Sequence, residues 1–285
     1  MKTVTTITEL RDALDGHRAR GDRIGLVPTM GCLHAGHASL IERAGAECDV
    51  VVATIFVNPL QFAAGEDLVS YPRDLHGDAQ TAAAAGATLL FAPSLDEMYP
   101  GGRDSVLTSV AVAELSSVME GASRPTHFSG VCTVVAKLFN IVGPCRAFFG
   151  DKDFQQLAII TRMVSDLSFP VQVVGCEIVR ESDGLAMSSR NVNLSDAERT
   201  AAPVLHRALR AGAAAVRAGE TSADSIRRIM GEQVATQQLG TLDYVDVVDP
   251  DTLRPVEVAG PASRLFVAVE FERARLIDNL DAGAG

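Results

Sequence analysis

The chain has 285 residues, 47% hydrophobic and 21% charged, a globular composition large enough for one big domain or two smaller ones. A formal net charge of −11 repels a polyphosphate backbone over most of the surface and excludes nucleic acid as the main partner, while a small anion can still be caught locally. The opening MKTVTTITELRDALDG lacks the apolar stretch of a signal peptide, and no segment reaches the apolar length of a membrane span, so a cytoplasmic chain without a membrane partner is expected.

In chain order, the apolar run RIGLVP, a helix from about His37, the run VVATIFV, the alanine-rich DAQTAAAAGA and the run TLLFAP read as β-α-β-α-β. Val131, Val134, Val135, Leu138, Phe139 and Val142 fall at helical spacing, followed by the strand-like RAFFG, a helix from about Phe154 and the strand-like VQVVGCEIV. Short apolar strands separated by helices predict a doubly wound, Rossmann-like parallel sheet covered on both faces. After about residue 180 the texture changes. LSDAERTAAPVLHRALRAGAAAVRAG opens on Ser195 with Glu198 three residues on, a capping box, and is followed by a helix around 222–238 and the strand-like LDYVDVVDP and RLFVAVEF. Two domains are therefore expected, 1–180 with an α/β fold and 181–285 as a smaller α+β unit that closes over the site. The cysteines at 32, 48, 132, 145 and 176 contain no C-x-x-C pair and read as free thiols.

The segment PTMGCLHAGH follows the first apolar run of that pattern, where the loops of an open α/β sheet hold ligands. Its glycines let backbone approach a ligand, the following helix start offers unpaired N–H groups to an anion, and His34 and His37 add donors. A metal site and a plain polar turn are the competing readings. The H-x-x-H spacing is not that of zinc proteases and has no cysteine framework. FFGDKDFQQL delivers Asp151, Lys152 and Asp153 after another strand, and Lys152 is conspicuous in a chain whose only other lysines are Lys2 and Lys137. DGLAMSSRN adds the hydroxyls of Ser188 and Ser189 and the guanidinium of Arg190. Together these describe a triphosphate site whose α-phosphate reacts. No G-x-x-x-x-G-K-[ST] is present and no G-x-G-x-x-G follows the first apolar run, so a P-loop enzyme is excluded and a dinucleotide fold unsupported.

PTMGCLHAGH, FVNPLQF, YPRD, RPTHFSGV, FFGDKDFQQL and DGLAMSSRN occur in the order and spacing of pantothenate synthetase, the pantoate–β-alanine ligase family of H-x-G-H nucleotidyltransferases, and the chain resembles that family over about residues 20–195. The resemblance implies ATP contacts from Met30, Gly31, Cys32, Leu33, His34, Ala35, Gly36 and His37, from Gly150, Asp151, Lys152 and Asp153, from Val179, and from Met187, Ser188, Ser189 and Arg190. It gives His37 the proton-donor role and makes His34, Lys152, Ser188, Ser189 and Arg190 its catalytic companions. Gln61 would hold pantoate and β-alanine, and Gln156 pantoate. Mg²⁺ is implied with ATP, with Asp78 as a candidate ligand, although Gly77 stands where several members carry an acid. The implied reaction joins pantoate and β-alanine through a pantoyl adenylate, releasing AMP and pyrophosphate, in a cytoplasmic homodimer. A related nucleotidyltransferase with another acceptor would keep the histidines without needing the glutamine pair. A non-catalytic nucleotide-binding module would survive replacement of His37.

Overall fold

The structure is a computed structural model and describes residues 1–63, 68, 69 and 71–284. It divides into two compact units, one of Met1–Asp151 and Gln156–Glu177, the other of Lys152–Gln155 and Ile178–Gly285.

The first unit runs β1 (Lys2–Val4), α1 (Ile7–Ala19), β2 (Ile24–Val27), α2 (Ala35–Glu47), β3 (Val50–Thr54), α3 (Leu75–Ala84), β4 (Leu89–Phe91), the one-turn helices α4 (Leu95–Met98) and α5 (Glu120–Ser123), α6 (His127–Val142), β5 (Cys145–Gly150), most of α7 (Phe154–Asp166) and β6 (Val171–Cys176). Its six strands pair in parallel in the order β1-β4-β3-β2-β5-β6. Successive strand residues serve opposite faces. Leu26, Val50, Val52, Leu89, Phe91, Ala147 and Phe149 enter a core with Leu10 and Leu14 of α1, Val131 and Leu138 of α6 and Ile159 of α7. Val27, Val51, Ala53, Leu90 and Phe148 enter a second core with Leu40, Ile41 and Ala44 of α2 and Ala82 of α3. The sheet is thus buried on both faces, which is why its strands read as continuous apolar runs. The chain winds outward from β2 through β3 to β4 and then resumes at β5 on the other side of β2. Strand order reverses between β2 and β5, and the loops leaving their carboxyl ends flank the crevice that this fold creates.

The opening of the chain adds β1 and α1, which the sequence pattern left unassigned. α1 starts on a capping box of Thr6 and Glu9. The helix expected from about His37 begins at Ala35, with His34 as its N-cap.

In the second unit, Ser195 and Glu198 form the expected capping box of α8 (Asp196–Ala201). Pro203 then separates α8 from α9 (Val204–Arg217), and α10 (Ala223–Val234) follows. β7 (Gly240–Val248), β8 (Arg264–Phe271) and β9 (Arg275–Asp281) form an antiparallel sheet in the order β7-β8-β9. Leu265, Val267, Val269, Phe271 and Leu276 pack with Leu205, Leu209, Ile226 and Met230 of α9 and α10. β9 is a strand that the sequence pattern did not reveal. All five cysteines are free thiols. Among the described residues no helix is long and apolar enough to cross a membrane.

Candidate active site

Between β2 and α2 the chain turns sharply, with Gly31 at φ 89° and Cys32 at φ 52°. A non-glycine residue in the left-handed region needs support from its surroundings. Asp78, in the first turn of α3, supplies it: Oδ2 accepts the Cys32 N–H at 3.0 Å and Oδ1 the Leu33 N–H at 2.6 Å. A Cβ on residue 31 would stand 2.8 Å from Asp78 Oδ2, so the close approach of carboxylate to backbone requires glycine there. Thr29 anchors the other end, its Oγ1 accepting the Gly31 N–H at 3.2 Å while donating to the Thr54 carbonyl at 2.6 Å.

Two histidines then cap α2. His34 Nδ1 accepts the Gly36 N–H at 3.1 Å, and His37 Nδ1 accepts the His34 N–H at 3.4 Å, a reciprocal box built from imidazoles. Their ring centroids are 4.1 Å apart. An Nδ1 that accepts a backbone N–H cannot itself carry the proton, so the neutral rings are both the Nε2–H tautomer. The helix start and two Nε2–H donors together make a site complementary to anionic oxygens.

Gln61 ends a 3-10 turn (Pro59–Gln61) beyond β3 and is buried. Asn58 Nδ2 donates to its Oε1 at 3.1 Å, and its Nε2 lies 3.1 Å from the sulfur of Met30 in the histidine loop. Asn58 is held by the Tyr99 hydroxyl at 2.9 Å and by the Gly130 carbonyl at 3.0 Å. Its neighbours His127 and Arg124 reach the Gln61 carbonyl at 3.0 and 3.4 Å. Asn58, Tyr99, His127 and Arg124 were given no role from the sequence. Three of the four lie in or beside motifs of the family resemblance, the only signal available for them. At the opposite side of the strand-order reversal, Gly150 ends β5, Asp151 follows it, and Gln156 lies half-buried in the first turn of α7.

In the second unit, Lys152 lies in a 3-10 turn (Asp151–Asp153), its Nζ 3.2 Å from Asp153 Oδ1 and its side chain 20% exposed. Val179 opens a short hairpin in which the Met187 N–H meets the Val179 carbonyl at 3.0 Å. Ser188 caps the following turn, its Oγ accepting the Arg190 N–H at 3.2 Å, so Ser188, Ser189 and Arg190 share one tight local structure. The residues singled out from the sequence thus form two preorganised groups. His34, His37, Gln61, Gly150, Asp151 and Gln156 belong to the first unit. Lys152, Asp153, Val179 and Met187–Arg190 belong to the second.

The family model for pantoate-beta-alanine ligase matches residues 2–281. The chain belongs to the pantoate-beta-alanine ligase family. It is 52% identical to the pantothenate synthetase of Sinorhizobium medicae over 280 residues, 98% of this chain and 95% of that protein, and 50% identical to that of Chloroflexus aggregans over 98% and 99%. Its fold is similar to the crystal structure of pantothenate synthetase from Thermus thermophilus, with a TM-score of 0.94, 49% identity and full coverage of both chains. It is also similar to pantoate-beta-alanine ligase from Francisella tularensis, complexed with a β,γ-ATP compound and β-alanine, with a TM-score of 0.80, 31% identity and coverage of 100% and 99%. The activity is the pantoate-beta-alanine ligase reaction, ATP-dependent condensation of pantoate with β-alanine.

Asp78 serves the loop backbone. Both of its oxygens accept loop N–H groups, and it is 4% exposed. Cys32 is a poor nucleophile: burial, and then the Asp78 carboxylate, push its thiol above the ordinary range, so its place in the loop does not make it reactive.

Proposed function

We propose that the ligase works in two steps: the pantoate carboxylate attacks the α-phosphorus of ATP and expels pyrophosphate, and the amine of β-alanine then displaces AMP from pantoyl adenylate. In this reading the loop Met30–His37, Gly150–Asp153, Val179 and Met187–Arg190 hold ATP. The Nε2–H groups of His34 and His37 donate hydrogen bonds to phosphate oxygens, and His37, whose Nδ1 is an acceptor of backbone N–H, fills the family's donor role as a hydrogen-bond donor that follows the negative charge onto the leaving pyrophosphate without giving up its proton. Lys152 and Arg190 neutralise the same charge, and Ser188 and Ser189 donate hydrogen bonds to it. Gln61 takes pantoate and β-alanine, its burial and amide suiting neutral hydrogen bonds to hydroxyl and carboxylate, and Gln156 takes pantoate. Mg²⁺ enters only as the counter-ion of ATP, and no step is assigned to it. A cytoplasmic homodimer completes the reading, to be checked by light scattering on the purified protein.

The observation that carries the proposal is the reciprocal cap of His34 and His37, which makes Nε2 the proton-bearing nitrogen of both neutral rings in the loop after β2, beside the sheet's strand-order reversal. Pyrophosphate exchange into ATP tests it. Exchange is expected with pantoate and none without it; exchange supported only by another acid would move the chain to a different acceptor.

A further inference from the structure

β9 carries two adjacent buried polar residues, Asp278 at 3% and Asn279 at 1% exposure. Being neighbours on a strand, they serve opposite faces of the β7-β8-β9 sheet. Asp278 pairs across β8 with Val267 on the face covered by α9, and there it receives both guanidinium nitrogens of Arg180, at 2.6 and 3.0 Å. The same guanidinium donates to the Gly184 carbonyl at 3.1 Å, closing the turn of the hairpin that leads to Met187–Arg190. Asn279 works on the other face. Its Nδ2 donates to the Lys152 carbonyl at 2.8 Å, and its Oδ1 accepts Arg264 Nε at 2.8 Å. A carbonyl can only accept and an Nε–H can only donate, so these partners fix the amide orientation without ambiguity. Arg264 in turn lies over the ring of Phe154, two residues beyond Lys152, at 3.7 Å from its centroid.

We propose that Asp278 and Asn279 are positioning residues for ATP: Asn279 sets the backbone of the Lys152 turn, and Asp278, through Arg180, sets the hairpin that presents Ser188–Arg190. The inference rests on the assignment of Lys152 and Met187–Arg190 to ATP made above. Buried polar groups this fully satisfied hold one backbone geometry, because any shift leaves a donor or acceptor unpaired away from water.

The test is ATP affinity by calorimetry on the full chain, in wild-type and Lys152→Ala backgrounds. Asn279→Asp keeps the acceptor for Arg264 but turns a second acceptor toward the Lys152 carbonyl. It is expected to weaken ATP about tenfold in the wild-type background and less than twofold in Lys152→Ala, with pantoate affinity unchanged. Asp278→Asn acts on the other segment, so its loss of about fivefold persists in Lys152→Ala. Melting temperature is measured on each preparation. If Asn279→Asp does not fold, Asn279→Ser, whose hydroxyl is too short to reach Lys152, carries the same comparison. Wild-type ATP affinity in Asn279→Asp, or the same loss in both backgrounds, overturns the role of Asn279. Disappearance of the Asp278→Asn effect in Lys152→Ala overturns the separate role of Asp278. Wild-type ATP affinity in Lys152→Ala overturns the assignment of Lys152 itself, and the inference with it.

Discussion

The His34–His37 loop and the Lys152 turn are held in opposite ways. The first is organised by the cap of its own two histidines, by the loop residue Thr29 bonded to Thr54 on β3, and by one carboxylate from α3. The second depends on Asn279, 127 residues further along, and the associated hairpin on the Arg180–Asp278 pair. A loop whose main supports, Asp78 and Thr29, are not its functional groups can lose one imidazole without losing its shape. A turn held by a buried side-chain network cannot, and the two should respond differently to substitution.

The largest effect is expected where function and framework separate most cleanly. Replacing His37 by Ala should lower turnover by about 10²–10³-fold, the usual range for a lost donor to developing charge, while the loss of its cap contact to the His34 N–H costs only about 0.5–2 kcal/mol of stability. Steady-state kinetics beside calorimetry checks both halves, and near-wild-type turnover would remove the donor role of His37. Arg180→Ala should do the reverse to the other region. It strands the Asp278 carboxylate, whose side chain is 2% exposed, without its cation, at a cost of about 3–5 kcal/mol in stability measured by urea unfolding. A loss below about 1 kcal/mol would mean that the network is not the frame of this unit.

Asp78→Asn lies between these extremes. The amide keeps one acceptor oxygen but turns an NH₂ toward a backbone N–H, for an expected loss of about 1–3 kcal/mol and weaker ATP binding. The magnesium dependence of that variant should match the wild type; a selective loss of magnesium response would restore Asp78 as a ligand. The smallest effect concerns pH. Burial, then the charges of Arg180 and Arg210 acting against that of Asp278, hold His206 below its usual range. Its depressed folded-state pKa gives stability that is present above pH about 6.5 and is lost as pH falls below it, because the unfolded chain takes up the proton first. Acidification from pH 7.5 to 5.5 should therefore lower the melting temperature of the wild type more than that of His206→Asn.

The same contrast decides what the sequence could reveal. The parallel sheet was legible because both faces of each strand are buried, leaving runs such as VVVAT with no polar interruption. The histidine loop was legible because backbone-built sites need glycines next to their functional groups. α1 carried a readable signal in Thr6 and Glu9, whereas the three residues of β1 are too few for a period to show. β9 was hidden because RLIDNLD places Asp278 and Asn279 side by side, removing the alternation that marks a half-buried strand. Those two residues are buried for a polar purpose that only the fold makes visible. The structural task of Asp78 was obscured in a related way: the two backbone N–H groups that it holds lie 46 and 45 residues away in the sequence.

The bond from Asn279 to the Lys152 carbonyl also has a timetable. At a synthesis rate of about 5–20 residues per second, the ribosome completes Lys152 roughly 6–25 s before it adds Asn279, the span set by the 127 residues between them. Throughout that interval the nascent lysine segment is without its buried tether, so the growing polypeptide can finish its parallel sheet well before that turn is fixed.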